Sequence, residues 1–189
     1  MRTNIAVTVA LMCAAGAAAH GQERDRYMLL ATTRTSTMEQ EINEAAAKGY
    51  RVVAASRTEG SEVIVVLEQA RGDYRYRLLA TTRTGTLQKE ISDAAEAGFH
   101  LVPKGVTTKR TGNNVARALG GGNTGEGELL VLMEKGPEPI PNSRYLVVAT
   151  SRTGTMQKEL SEAVDRGYVL LALTSRGEHV AILEQPPGK

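Results

Sequence analysis

Three short segments hold the residue types that could do chemistry in this chain. Arg34-Thr35-Ser36-Thr37, Arg83-Thr84-Gly85-Thr86 and Arg152-Thr153-Gly154-Thr155 each place an arginine and two or more hydroxyls just where an apolar helical pattern begins. Free backbone N–H groups at a helix N-terminus, with such side chains beside them, make an anion site. The candidate ligand residues are therefore Arg34, Thr35 and Thr37, Arg83, Thr84 and Thr86, and Arg152, Thr153 and Thr155. The competing structural reading is N-capping by the hydroxyls together with pairing of the arginines to glutamates. A Gly-Thr pair without a longer glycine-rich loop or a P-loop lysine gives no nucleotide site.

Other reactive side chains form no constellation. His20, His100 and His179 neither recur at matching positions nor cluster, and the H-x-x-x-H and H-E-x-x-H spacings are missing, so no metal is assigned and the histidines read as structural. Glu39 with Glu41, Glu159 with Glu162, and Lys89 with Glu90 read as solvated helix faces. A serine hydrolase needs a base beside its nucleophile, and no Gly-x-Ser-x-Gly elbow occurs. Tyr27, Tyr76 and Tyr145 are expected to anchor the start of a strand with their hydroxyls toward solvent. No catalytic residue and no cofactor is assigned.

The elements that must position these segments come three times. Arg26 to Thr35 recurs as Arg75 to Thr84 and as Arg144 to Thr153, so the fold is expected to assemble three supersecondary units on shared apolar surface. After an extended opening stretch, apolar residues take helical spacing at Met38, Ile42, Ala45 and Ala46; at Leu87, Ile91, Ala94 and Ala95; and at Met156, Leu160, Ala163 and Val164. Gly49, Gly98 and Gly167 are placed to end the helices. Second strands are expected at 50–56, 99–107 and 168–175, and third strands at 62–69, 128–135 and 178–185. Each unit reads β-α-β-β, spanning 24–70, 73–136 and 143–186. Residues 70–73 make a short first linker, and the proline-rich stretch 136–142 an extended second one. The second unit also carries a hairpin insertion, 109–127, expected to be a surface loop and a candidate binding element.

Charges suggest the pairing. Arg26 with Glu68, Arg75 with Glu134 and Arg144 with Glu184 would lie opposite each other if the first and third strands run antiparallel, with Arg34–Glu62, Arg83–Glu128 and Arg152–Glu178 diagonal at the far end. The third strand is then central, in the order 1-3-2. Leu29, Val63 and Val65 are read onto one face, and Met28, Leu30, Ile64 and Val66 onto the other. One helix covers only one of these faces, so the other must find a partner. The expected class is α+β: three units with mainly antiparallel sheets packed together, around a pseudo-threefold axis or as an open row, with helices outside.

Residues 1–20 read as a signal peptide: Arg2, an apolar run from Ile5 to Ala15, and small residues to Ala19. The run is short of the roughly 20 residues that span a bilayer. Cys13 lies inside it, so the remainder has no thiol and no disulfide. The expected location is periplasmic or secreted. Formal charge is +2, or +1 without Arg2, and there is one Phe and no Trp. Such a chain has neither the electrostatic pull nor the stacking platform for nucleic acid.

Glu41-Ile42-Asn43, followed by Gly49-Tyr50-Arg51-Val52-Val53, resembles a family of small bacterial β-α-β-β domains of unknown function, marked by Leu-Asn, a short gap, Gly-Trp/Tyr and an apolar strand. The likeness extends in outline to all three units, with Ser92 and Ser161 replacing the asparagine and Phe99 the tyrosine in the second. It implies a fold and no activity. Two functions follow from the residues. The favoured one is an exported, non-enzymatic binding or interaction protein that meets an envelope or extracellular protein through the inserted loop or a sheet edge. The alternative is a small-anion receptor or enzyme with a pocket between repeats, lined by the Arg-Thr segments.

Overall fold

The computed structural model describes residues 25–58, 61–109, 127–141 and 143–187. The expected signal peptide and the body of the hairpin insertion, 110–126, lie outside the described residues. The first unit comprises β1 (Tyr27–Thr32), α1 (Thr35–Ala47), β2 (Tyr50–Arg57) and β3 (Val63–Gln69). The second comprises β4 (Arg75–Thr81), α2 (Thr84–Glu96), β5 (His100–Lys109) and β6 (Glu128–Lys135). The third comprises β7 (Arg144–Thr150), α3 (Thr153–Asp165), β8 (Val169–Ser175) and β9 (His179–Gln185). Each unit forms a three-stranded antiparallel sheet with its last strand central, in the order 1-3-2. The α+β class with three repeated units is therefore as the periodicity predicts. Gly49, Gly98 and Gly167 end the helices at φ of 88°, 84° and 84°, a region other residues enter only with strain.

The register differs by one residue from the charge-based expectation. Tyr27 lies opposite Glu68, Tyr76 opposite Glu134, and Tyr145 opposite Glu184. A slip of one residue exchanges the faces of a strand. Tyr27 and Leu29 therefore share a face with Ile64, Val66 and Glu68, while Met28 and Leu30 join Val63, Val65 and Leu67 toward α1. Exposed Arg–Glu pairs contribute too little to set a register, roughly 0–1 kcal/mol. Burial of alternate apolar residues sets it instead.

The units form a row in which each sheet uses both faces. Leu129, Val131 and Met133 of β6 join the core under α2, whereas Leu130 and Leu132 of the same strand join the core of the first unit. In the third unit Ala181 and Leu183 lie under α3, while Val180 and Ile182 join the core of the second unit. The sheets meet through β2 on β5 and β5 on β8. Helix α1 also packs on β4, and α2 on β7, so these two helices are held between their own sheets and the edge strand of the following unit. Among the described residues, no core cluster joins the first unit to the third.

The third helix departs from the expected core. Met156 and Ala163 are buried, but Val164 is 59% exposed, whereas its counterparts Ala46 and Ala95 are 5% and 4% exposed. Ala46 and Ala95 lie in clusters that include residues of the following unit. Val164 lies in no such cluster among the described residues.

Candidate functional site

The Arg-Thr segments sit at three separate helix N-termini, one in each unit. Arg34, Arg83 and Arg152 are the N-cap residues, with extended φ near −115° and no side-chain capping hydrogen bond. The expected capping by the following hydroxyls is therefore not made. Instead Thr32, Thr81 and Thr150 accept through Oγ1 from the N–H of the N-cap arginine, at 3.1, 3.0 and 3.2 Å. These are local side-chain turns of the kind threonine favours. Thr37 and Thr86 donate back to the N-cap carbonyls. The three guanidinium groups are exposed, and among the described residues none makes an ion pair, so the Arg34–Glu62, Arg83–Glu128 and Arg152–Glu178 pairings are not formed.

The glutamates of two of those pairs meet threonines of the preceding unit. Thr35 Oγ1 donates to Glu128 Oε2 at 2.7 Å, and Thr84 Oγ1 donates to Glu178 Oε1 at 2.9 Å. A carboxylate near the positive end of a helix dipole is stabilised there. Cations complete each junction. Lys109 Nζ donates to Thr33 O and Thr35 Oγ1, and the buried Arg176 donates through Nη1 to Thr81 O and Gly127 O at 3.2 and 3.0 Å. The anion that two of the three helix N-termini attract is thus one of the chain's own carboxylates.

The tyrosines form the second half of each junction, and they point inward rather than to solvent. Tyr76 Oη accepts from Val52 N–H at 2.9 Å and donates to Glu134 Oε2 at 2.6 Å. Val52 stands at the bulge in β2, where the backbone leaves the regular ladder. Arg51 grips the same carboxylate through Nε and Nη2, with 2.8 Å for the shortest contact. Tyr145 repeats the arrangement, accepting from Leu101 N–H at 3.1 Å and donating to Glu184 Oε1 at 3.2 Å. Burial is the main cause that raises the pKa of both phenols, Tyr145 to about 12 and Tyr76 further. They remain protonated at neutral pH, which suits fixed donor–acceptor hubs and not a general base. Where Arg51 stands in the first unit the second has His100, whose Nε2 is buried without a hydrogen-bond partner.

Helix side chains finish the edge strands. Asn43 exchanges two hydrogen bonds with the backbone of Tyr76, and Glu39 accepts from Leu78 N–H at 2.8 Å. At the next boundary Gln88 does both jobs, donating to Tyr145 O at 2.9 Å and accepting from Val147 N–H at 2.8 Å. Glu39 is thus not only part of a solvated face, and Gln88 was not singled out by its sequence context. The signal available was the change of Asn43 to Ser92 at one repeat position, alongside Glu39 to Gln88 one turn earlier. An amide side chain mimics a peptide group and blocks an edge that would otherwise recruit another strand.

No family model, curated protein or solved structure matches this chain. The reading of function therefore rests on the geometry. Among the described residues no group of three or more His, Cys, Asp or Glu could hold a metal, and no helix is long and apolar enough to cross a membrane.

Replacing Gln88 by Ala removes both contacts to the edge of β7 and should cost about 1–2 kcal/mol. Gln157, its exposed counterpart on α3, bonds only within its own helix, and Gln157→Ala should stay within about 0.5 kcal/mol. Urea unfolding of the two variants compares them directly. Equal losses would mean that the edge contacts contribute nothing.

Proposed function

We propose that this chain is an exported, non-enzymatic interaction scaffold whose contact surfaces are the two ends of its row of units. The observation that carries this reading is the contrast between equivalent residues inside the row and at its ends. Tyr76 and Tyr145 are 3% and 5% exposed, whereas Tyr27 is 51% exposed. Leu29 beside it is exposed too, as are Val164 on α3 and Val169, Leu170 and Leu173 on β8. Exposed apolar side chains gathered at the two ends are what protein–protein contacts use. The anion-receptor alternative draws less support, because Glu128 and Glu178 already occupy two of the helix N-termini and would repel a second anion.

A photo-reactive side chain placed at Tyr27 or at Val164, in the cells that produce the protein, should cross-link to a protein partner. The same group at Glu138, an exposed residue of the second linker, should not. Cross-links from the linker alone, or from none of the three positions, would contradict the assignment of the ends as contact surfaces.

A further inference from the structure

Resting on that interaction reading, we infer that the partner for each end is a second copy of this chain, joined head to tail through α3 and β8 of one copy and the β1–β3 face of the next. The two boundaries inside the chain show what covers each surface. At both, the helix of one unit packs on the first strand of the following unit, the second strands of the two units pack on each other, and the following unit's third strand joins the preceding core. Among the described residues, the equivalent receiving surface of the third unit and the equivalent inserting surface of the first unit are exposed, at Val164, Leu170 and Leu173 and at Tyr27 and Leu29.

The residues correspond one by one. Val52 and Leu101, buried at the internal bulges, become Leu170, which stands at the bulge of β8 and is exposed. Leu130 and Leu132, buried in the neighbouring unit's core, correspond to Ile64 and Val66, which are half-buried. Leu78 and Val147 pack on the preceding unit, and their counterpart Leu29 is 62% exposed.

Polar groups match in the same way. Following the internal pattern, Gln157 would meet Tyr27 O and Leu29 N–H on the unpaired edge of the second copy's β1. Leu170 N–H would meet the Tyr27 hydroxyl, itself opposite Glu68. Thr153, exposed at the start of α3, would meet Glu62, as Thr35 meets Glu128 and Thr84 meets Glu178. The two ends are therefore complementary in apolar character and hydrogen-bonding groups. A contact between unlike surfaces is heterologous, so it builds rings if the rotation closes and filaments if it does not.

The test expresses the full chain, reads the N-terminus of the purified protein by mass spectrometry, and measures mass in solution by sedimentation over a range of concentrations. The native protein should sediment as multiples of one chain, with the larger species gaining as concentration rises. Val164→Glu blocks the receiving end and Leu29→Glu blocks the inserting end, each at a residue exposed in the single chain, so circular dichroism should be unchanged. Each variant alone should be a single chain. Mixed in equal amounts, they should give a species of two chains and nothing larger, because each supplies the one end the other lacks.

A native protein that stays a single chain at its highest attainable concentration would overturn the inference. So would self-association that persists in Leu29→Glu alone, since that requires two receiving ends to meet. If cross-links from Tyr27 and Val164 reach a different protein while the purified chain is single, the interaction reading stands and the self-assembly inference falls.

Discussion

Tyr76→Phe should destabilise the protein by about 2–4 kcal/mol, although it removes one oxygen atom and no apolar surface. The hydroxyl is buried, and it is the acceptor for Val52 N–H and a donor to the Glu134 carboxylate. Without it the bulge N–H lies buried with no partner, a loss of about 1–3 kcal/mol, and a hydrogen bond to a charged group is lost as well. Arg51 remains on Glu134 and limits the damage to the carboxylate. The control is already in the molecule. Tyr27→Phe alters the equivalent residue where it is half exposed, and should change stability by less than about 0.5 kcal/mol in the single chain. Urea unfolding of both variants decides the matter. Equal effects would mean that the hub contributes nothing beyond a tyrosine at the head of a strand.

The same hub has a pH signature. A phenol whose pKa is raised by folding keeps its proton in the native state after the unfolded chain has lost it. Its contribution is therefore complete below the unfolded value, near pH 10, and is lost as pH rises toward the folded value. Tyr76 and Tyr145 both contribute to that alkaline loss, and Tyr145 does so between about pH 10 and about 12. In Tyr76→Phe the decline of stability above pH 10 should be shallower than in the native protein.

Ile182→Ala should cost about 2–5 kcal/mol, the range for removing a fully buried Ile from a core that cannot collapse around the gap. Ile182 belongs by sequence to the third unit but lies in the core of the second, in one cluster with Leu87 and Ile91. Its loss should therefore weaken the boundary between units as well as the local sheet. Val66 occupies the equivalent position in the first unit, where it is only half-buried. Val66→Ala should cost about 1 kcal/mol or less in the single chain. Thermal and urea unfolding of the pair measure the difference. If Val66→Ala were as damaging as Ile182→Ala, the open-row arrangement would be wrong, because Val66 would have to be covered.

The register places Tyr27, Tyr76 and Tyr145, and not the arginines before them, opposite Glu68, Glu134 and Glu184. An exposed ion pair contributes little, whereas a tyrosine hydroxyl that satisfies a buried backbone group contributes more. Nothing in a single sequence says that a hydroxyl of one unit meets the backbone of another, because Tyr76 and Val52 are brought together only after two sheets have packed. The Arg-Thr segments were correctly placed at helix starts, yet their hydroxyls face the chain's own carboxylates across unit boundaries.

The amino-acid sequence by itself determined the three units, the β-α-β-β order, the central third strand, the helix-facing residues of α1 and α2, and the glycines that end the helices. The central third strand follows from the charge pairs at the strand ends, and the rest from local periodicity and backbone chemistry, all of them written along the chain. Only the tertiary structure decided the register, the inward course of Tyr76 and Tyr145, the use of Asn43, Glu39 and Gln88 to finish edge strands, and the division of each central strand between two cores. Those features depend on which unit lies beside which. Equivalent residues such as Tyr27 and Tyr76 share a local sequence and differ in burial because, among the described residues, only Tyr76 packs into the core of another unit.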